Sequence, residues 1–443
     1  GWAAFTHWIN GVEQFKETHV WAATVPISDP LPMTLKPGDT INLMICSEPT
    51  DDPMWCPDPV RVELLPRPCT QTAIELAAAC ASLDMKAIKA MKYPKALASV
   101  AKMEEVLKPL SKRARKYELH LIGHSHIDMD WMWTWTDTVH CIRRDLKAVT
   151  DMMEDYQELK FNHSQVSTYA VVKDMDPDIF EKTQQRIAEG RWENCAGSWV
   201  EGDLNMADGE ALARHMLYAH NWTREHLGNE SVTLWEPDTF GHPGQMPQIA
   251  RLGGHENYYH MRCTPGMRSL PGQENRWPVR QWIGVDGTPI LTVSSIYGSS
   301  LHPDVTIGSL LHHIKNGLSV AHHVWGLGDH GGGVSRYQMD LLEMYRNKPV
   351  MPTFKYSTLQ GFADAVRESG DKLPSNTGET WSEVEGCFTS HAPIKRYNRL
   401  GEGALLTAET LCALAGLDRN DKIRENWIPL LFNHFHDIFD GAG

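Results

Sequence analysis

The stretch ELHLIGHSHID, residues 118–128, joins a short apolar run to a cluster of histidines and a carboxylate. Five further runs of this kind follow along the chain, each ending in polar residues and separated from the next by helical stretches. This alternation predicts an α/β domain with a largely parallel sheet. Because ligands gather at the carboxyl ends of the strands in such folds, the polar ends mark a candidate site. The runs are Glu118–Gly123, Leu159–Asn162, Trp192–Ser198, Val232–Trp235, Asn257–Met261 and Val320–Trp325.

The rest of the chain divides around this α/β domain, which we expect to span residues 118–391. Residues 1–70 are rich in proline and in short β-like runs separated by turn signals, so they predict a small N-terminal β region. Residues 71–117 carry Ala, Leu, Met and Lys at helical spacing, which indicates a helical linker. The helical period returns after Ala392, so residues 392–443 are predicted to form a helical bundle segment.

Composition and charge exclude several classes of protein. Of the 443 residues 42% are hydrophobic, yet no run approaches the roughly 18 apolar residues that a membrane span needs, so we expect a soluble globular protein. The net charge of −14 argues against nucleic acid as the main partner. The nine cysteines are odd in number and form no CxxC pair, which favours a reducing cytoplasm over a disulfide framework. The oligomeric state stays open, a homo-oligomer included.

The first polar cluster places His124, His126 and Asp128 at alternate positions. Alternate residues of an extended segment share one face, so two imidazoles and a carboxylate can converge there as metal ligands. A pair of histidines alone is more often a hydrogen-bonded pair at a strand end. The added carboxylate, the strand-end position and the neighbouring Trp131 favour a metal site.

A second carboxylate follows a short strand in the segment WEPDTFGH, residues 235–242. Pro237 stiffens the turn that would present Asp238 at the edge of the sheet. The alternative is that Asp238 caps the helix that begins near Gln245, but it lies too far upstream for a cap. The pattern therefore favours a chemical role for Asp238.

Two later motifs are weaker when each is considered alone. The segment NHFHD, residues 433–437, again combines imidazole and carboxylate, although histidines that close an amphipathic helix are usually structural. Residues 326–333 form a glycine-rich loop that lacks the Lys-Ser/Thr ending of a phosphate loop and carries an acid, Asp329. We interpret it as a flexible loop with an acid/base carboxylate, the alternative being a plain surface turn.

The 16 tryptophans of the chain point to a carbohydrate ligand, because indole faces stack on sugar rings.

Taken in order, six motifs resemble glycoside hydrolase family 38, the zinc-dependent retaining α-mannosidases. The match runs from about Leu119 to the C-terminus through HSHIDMDW, GRWENCAGSWVEGDLN, WEPDTFGHPGQMPQI, RQWIGVDGT, GLGDHGGG and FNHFHDIFDG. The resemblance implies an irregular parallel (β/α)7-type barrel followed by an α-helical bundle. It also implies hydrolysis of terminal α-linked mannose from glycans with retention of configuration, and one zinc ion per chain.

The resemblance also assigns roles to individual residues near the metal. Asp238 would be both a zinc ligand and the nucleophile, and His124 and Asp437 would lie behind the ligands. The implied zinc ligands are His126, Asp128, Asp238 and His436.

The resemblance extends to residues that would contact the sugar. Trp131 aligns with a tryptophan that stacks on the sugar ring, and Arg262 with an arginine near the nucleophile. Asp329 aligns with the loop position of the general acid, although His330 stands where some members have a second aspartate. Residues 1–117 match no motif, and family members usually continue into β-rich domains beyond Gly441, so we expect a shortened form of the family.

Two other functions fit the same residues. In a metal-dependent polysaccharide deacetylase-like hydrolase, zinc would activate a water molecule and Asp238 would act as a general base. In a non-catalytic carbohydrate-binding protein, the metal would be structural. Release of mannose, release of acetate, or release of neither would separate the three functions.

Overall fold

The structure is a computed structural model of the chain. It describes residues 3–9, 12–20, 43–48, 76–262, 277–328, 331–380 and 384–441. Contacts divide the chain into two units, residues 1–81 and residues 82–443.

The first unit contains a three-stranded antiparallel sheet with the order β2-β1-β3. Its elements are β1 (Ala3–Ile9), β2 (Val12–Val20), β3 (Leu43–Glu48) and a helix, α1, over residues 76–81.

The second unit begins with three helices and continues as an alternation of strands and helices. The initial helices are α2 (Met85–Lys89), α3 (Tyr93–Leu107) and α4 (Ser111–Ala114), with a 3-10 turn at Lys108–Leu110. The helices that follow are α5 (Trp135–Asp155), α6 (Val166–Met175), α7 (Pro177–Ala188), α8 (Gly209–Leu227), α9 (Met246–Leu252), α10 (Pro303–Lys315), α11 (Arg336–Tyr345) and α12 (Leu359–Ser369).

One sheet of the second unit is parallel throughout, with the order β11-β4-β5-β6. Strand β4 pairs with β11 along one edge, while its other edge is shared by β12 and β5. The strands are β4 (Glu118–His124), β5 (Phe161–His163), β6 (Trp192–Asn194), β11 (Val320–Trp325) and β12 (Thr353–Tyr356).

The other sheet has the order β13-β9-β10-β8-β7 and is parallel except for the β9–β10 hairpin. Gly287 makes the hairpin turn with a φ of 88°, a conformation that costs glycine little. The prediction of an α/β domain with largely parallel sheets is confirmed. The strands are β7 (Thr233–Glu236), β8 (Asn257–His260), β9 (Val279–Ile283), β10 (Pro289–Ser294) and β13 (Ser375–Thr377).

The two sheets of the second unit share an apolar core. Ile122 of β4 and Val324 of β11 belong to the same buried cluster as Trp235, Tyr259 and Val293 of the other sheet. A larger cluster lies between the strands and the surrounding helices. The carboxyl ends of strands from both sheets therefore surround one end of a common core.

The chain ends in a helical part, as the returning helical period predicts. It comprises a 3-10 turn at Glu385–Phe388, α13 (Ala392–Leu414), α14 (Asn420–Phe432) and α15 (His436–Asp440). A β-bridge between Gly202 and Phe435 joins this part to the segment after β6. Among the described residues, we find no helix that is both long and apolar enough to cross a membrane.

Candidate metal centre and active site

Four side chains meet at the carboxyl ends of the strands. His126 and Asp128 follow β4, Asp238 follows β7 and His436 begins α15. All four are buried, and one potential ligand atom from each lies within 4.8 Å of the others. His126 Nε2 lies 2.8 Å and His436 Nε2 3.4 Å from Asp128 Oδ1. Both nitrogens lie 3.9 Å from Asp238 Oδ2.

His124 lies outside this cluster, although the alternation of residues predicts that it converges with the other two. Its Nδ1–H donates to the Asn162 carbonyl (3.0 Å), and the Trp235 indole N–H donates to its Nε2 (3.2 Å). Strand β4 ends at His124, so the extended alternation stops there. Both nitrogens of His124 are thus already hydrogen-bonded, so His124 lies beside the cluster, and its role behind the ligands stays a prediction.

The donor set fits a borderline divalent cation. Two imidazoles and two carboxylates match the mixed ligands that Zn²⁺ accepts in proteins. His436 Nδ1–H donates to the Glu201 carbonyl (2.8 Å), which leaves Nε2 as the free nitrogen facing the cluster. That buried Nε2 has no hydrogen-bond partner in the structure, as expected for an atom placed to ligate a metal.

Buried carboxylates dominate the electrostatics of the cluster. Burial lowers the pKa of His436, but Asp437, Asp128 and Asp238 outweigh that effect and raise it to about 10. Burial likewise opposes protonation of His126, whose pKa is nevertheless raised well above its usual value, chiefly by Glu201. Because a metal ligates neutral imidazole through the nitrogen that carries no proton, a bound cation would replace the second proton of each ring.

Asp238 is held by two side chains from other elements. Arg262 Nε lies 2.5 Å from its Oδ1, where the sequence predicts an arginine beside the nucleophile. The Tyr297 hydroxyl donates to its Oδ2 at 3.4 Å, and the Tyr297 ring packs on His126 with centroids 4.4 Å apart. Sequence reasoning missed Tyr297, because it lies in an irregular segment with no motif around it.

Three further residues were predicted to belong to the site, and the structure describes two of them. Asp437 is buried beside the cluster, its Oδ2 3.6 Å from His436 Nε2, and burial raises its pKa to about 7. Trp131 is half-buried, edge-on to Trp133 with ring centroids 5.4 Å apart. Asp329 lies outside the described residues.

The loop on either side of residues 329–330 is anchored next to the cluster. The Gly331 N–H donates to the His126 carbonyl at 3.0 Å. The Gly332 N–H donates to the buried carboxylate of Asp145, which also accepts from the Ser125 hydroxyl at 2.7 Å. The loop is therefore tied directly to the segment that supplies His126.

Comparison with protein families gives two matches in chain order. The model of the glycosyl hydrolases family 38 N-terminal domain matches residues 116–383. The model of the alpha mannosidase middle domain matches residues 379–442. The chain belongs to glycosyl hydrolase family 38. The resemblance found in the six motifs is thereby confirmed.

Individual proteins similar to this chain are named as alpha-mannosidases. Human alpha-mannosidase 2C1 is 29% identical over 341 residues, which are 74% of this chain and 32% of the human protein. The alpha-mannosidase of Saccharomyces cerevisiae is 29% identical over 345 residues, which are 72% of this chain and 31% of the yeast protein. The chain thus spans about a third of the length of the curated relatives it matches.

Solved structures support the fold of the family 38 domain. The crystal structure of an alpha-mannosidase from Enterococcus faecalis V583 superposes with a TM-score of 0.65 at 19% identity, covering 73% of this chain and 39% of that chain. A family 57 branching enzyme from Thermococcus kodakaraensis superposes with a TM-score of 0.50 at 12% identity, covering 74% of this chain and 86% of that chain.

Proposed function

We propose that this chain is the catalytic part of a zinc-dependent retaining α-mannosidase, which releases terminal α-linked mannose from glycans. The observation that carries the proposal is the cluster of His126, Asp128, Asp238 and His436, in which one carboxylate faces both the cation ligands and an arginine. The names of the relatives as alpha-mannosidases point to the same activity.

In this proposal Asp238 is the nucleophile. Its carboxylate attacks the anomeric carbon, the bond to the leaving oxygen breaks, and a covalent mannosyl ester forms. Arg262 and Tyr297 orient the carboxylate from two sides. Asp238 is 6% exposed, so the site around it still reaches solvent. Zinc bound by the four ligands would supply a Lewis acid that holds the sugar hydroxyls and orients the ring.

The second carboxyl group in this proposal is Asp329. A retaining mechanism needs an acid that protonates the leaving oxygen and then removes a proton from the water that hydrolyses the ester. The anchoring of the loop next to His126 supports a position for Asp329 near the site. We further propose that Trp131 stacks on the sugar and that His124 and Asp437 support the ligand set from behind.

The proposal extends to organisation and location. We propose that the two sheets around their common core form the irregular barrel of the family, and that the segments 1–70, 71–117, 118–391 and 392–443 are structural divisions of the chain. A cytoplasmic location is proposed as well; it is supported by the free thiols of Cys80, Cys141, Cys195, Cys387 and Cys412. The substrate partner is a mannose-containing oligosaccharide.

Two measurements on the purified chain test the proposed function. The first is metal analysis after dialysis, for which we expect one zinc ion per chain. The second is a panel of aryl glycosides and acetylated sugars, from which we expect release of mannose. Release of acetate would favour a deacetylase instead, and zinc binding without release of either would favour a carbohydrate-binding protein.

A further inference from the structure

Glu201 contacts both of the imidazoles in the cluster, although it lies outside the four-residue ligand set. Its carboxylate Oε2 lies 3.2 Å from His126 Nδ1, and these two buried atoms have no hydrogen-bond partner elsewhere in the structure. Its backbone carbonyl accepts from His436 Nδ1–H at 2.8 Å and from the His436 backbone N–H at 3.2 Å. One fully buried residue therefore stands behind the outer nitrogen of each histidine.

Glu201 is itself held by the residues at the end of β5. The Ser164 hydroxyl donates to Glu201 Oε1 at 2.6 Å, and the Glu201 N–H donates to the Gln165 side-chain oxygen at 3.0 Å. The same Gln165 amide donates through its nitrogen to the Ile127 carbonyl at 3.1 Å, between the ligands His126 and Asp128. These contacts give a role to Ser164 and Gln165, which follow β5 and lie outside the ligand set.

The backbone at this point is strained. Gln165 has a φ of 66°, one of three positive values among the described residues other than glycine. Such conformations are unfavourable for residues other than glycine and persist where the surrounding structure fixes them. The buried amide of Gln165 uses both its oxygen and its nitrogen in hydrogen bonds, which hold the residue in this conformation. One of these bonds is to the Glu201 N–H, so the same contacts fix the position of Glu201.

The chemical consequence concerns which imidazole nitrogen is free. An acceptor at Nδ1 keeps the proton there and leaves the Nε2 lone pair for a metal, and it also fixes the plane of the ring. The imidazole rings of His126 and His436 are nearly parallel, at an interplanar angle of 14°. A carboxylate at His126 also adds negative charge behind the ligand, which raises its affinity for a cation.

We propose that Glu201 is the positioning residue of the metal centre, orienting His126 through its carboxylate and His436 through its carbonyl, with Ser164 and Gln165 holding it in place. This inference rests on the proposed metal site. It predicts that the side chain of Glu201 sets the affinity for zinc although it does not ligate the ion.

The test compares Glu201→Gln, Glu201→Ala and Ser164→Ala with a matched control, Glu193→Gln. Glu193 lies on β6 in the same chain segment, and its oxygens accept from Thr233 and from the Gln360 backbone. Zinc affinity is measured by competition with a chelator. The visible absorption of the Co²⁺-substituted protein reports ligand geometry, which a general loss of stability would not change.

We expect Glu201→Ala to weaken zinc binding about 10- to 100-fold. Glu201→Gln keeps the shape but loses the charge, so it should weaken binding about tenfold and shift the Co²⁺ bands. Ser164→Ala should act in the same direction but less, and Glu193→Gln should bind like the wild type. If Glu201→Ala fails to fold, the isosteric Glu201→Gln still gives the answer.

Zinc affinity and Co²⁺ bands in both Glu201 variants that equal those of Glu193→Gln would overturn the inference. Because these measurements need no substrate, they are separate from the proposed activity. A wild-type chain that binds zinc but releases no mannose would contradict the proposed function and leave the role of Glu201 to be judged by affinity alone.

Discussion

Asp238 presents its two carboxylate oxygens to different partners. Oδ2 faces the imidazoles of His126 and His436, whereas Oδ1 faces Arg262. A single carboxylate can therefore ligate a cation and remain oriented for attack on a sugar. This double use explains why the residue is central to the proposed mechanism.

Asp238→Ala tests that double use at the residue scale. We expect kcat on aryl α-mannosides to fall by at least about a thousandfold, because the covalent step loses its nucleophile. The fold should survive, since the variant removes a polar side chain rather than core packing. Circular dichroism and thermal unfolding check the fold, with the exposed Asp364→Ala as the control. Activity near the wild-type level would exclude Asp238 as the nucleophile.

At the scale of elements, α5 holds the glycine loop through the buried Asp145. Gly331 has a φ of 74°, and a Cβ built on it would lie 2.0 Å from Asp145 Oδ2. A side chain at this position therefore combines backbone strain with a collision against the loop's anchor. Gly370 has a similar φ of 70° at the end of α12, but a Cβ there meets nothing within 4 Å.

Gly331→Ala should displace the loop that carries Asp329. We expect kcat/KM to fall more than about tenfold on substrates with poor leaving groups and much less on activated aryl mannosides, because only the former need a proton donor. Asp329→Ala should show the same pattern. Gly370→Ala should cost about 1 kcal/mol of stability and leave kinetics unchanged. Equal losses on both substrate types would argue against an acid role for this loop.

Predictability from the sequence also differs between elements. Strands β4 and β11 follow their apolar runs to within a residue, because each is six or seven residues long and bounded by polar residues. The run Trp192–Ser198 is a strand only to Asn194. A Cβ on Gly197 would lie 2.8 Å from the Thr233 carbonyl, so the chain packs there against β7 and leaves the extended path.

Site residues that lie in a local sequence motif could be predicted from the sequence. Site residues that are brought into place by contacts between distant segments could not. The four clustered residues all lie in local motifs of the sequence. Glu201 lies in one of the six motifs but is given no role by the sequence, because its place behind His126 depends on the packing of β5 and β6 against β4. The alternation of residues 124–128 suggested that His124 joins the cluster, but β4 ends at His124, so the extended geometry does not hold over the four residues up to Asp128.

At the scale of the whole molecule, buried histidines couple the fold to pH. Strand pairing sets His120 beside His322, and His313 and His323 lie buried close by. Burial lowers the pKa of His120, His313 and His323 to about 4, and that of His322 well below its usual value. The unfolded chain binds protons near pH 6.5 that the folded chain cannot, so stability is lost as the pH falls from about 6.5 towards 4.

His323→Gln tests this coupling with a side chain that does not titrate. The amide can still accept from Ser309 and donate to the Ser300 carbonyl, the two partners of the imidazole. In metal-free buffer we expect the free energy of unfolding to depend less steeply on pH between 6.5 and 4, by up to about 1.4 kcal/mol per pH unit. Urea unfolding at several pH values measures the slope. An unchanged slope would show that His323 does not take part.

The most direct measurement of the central claim is covalent trapping with a 2- or 5-fluoro mannosyl donor, followed by mass spectrometry of the peptides. The fluorine slows breakdown of the mannosyl ester, so the nucleophile stays labelled. We predict one mannosyl group per chain, attached to Asp238 and dependent on zinc. A label on another carboxylate, or hydrolysis of mannosides with inversion and no label at all, would contradict the account.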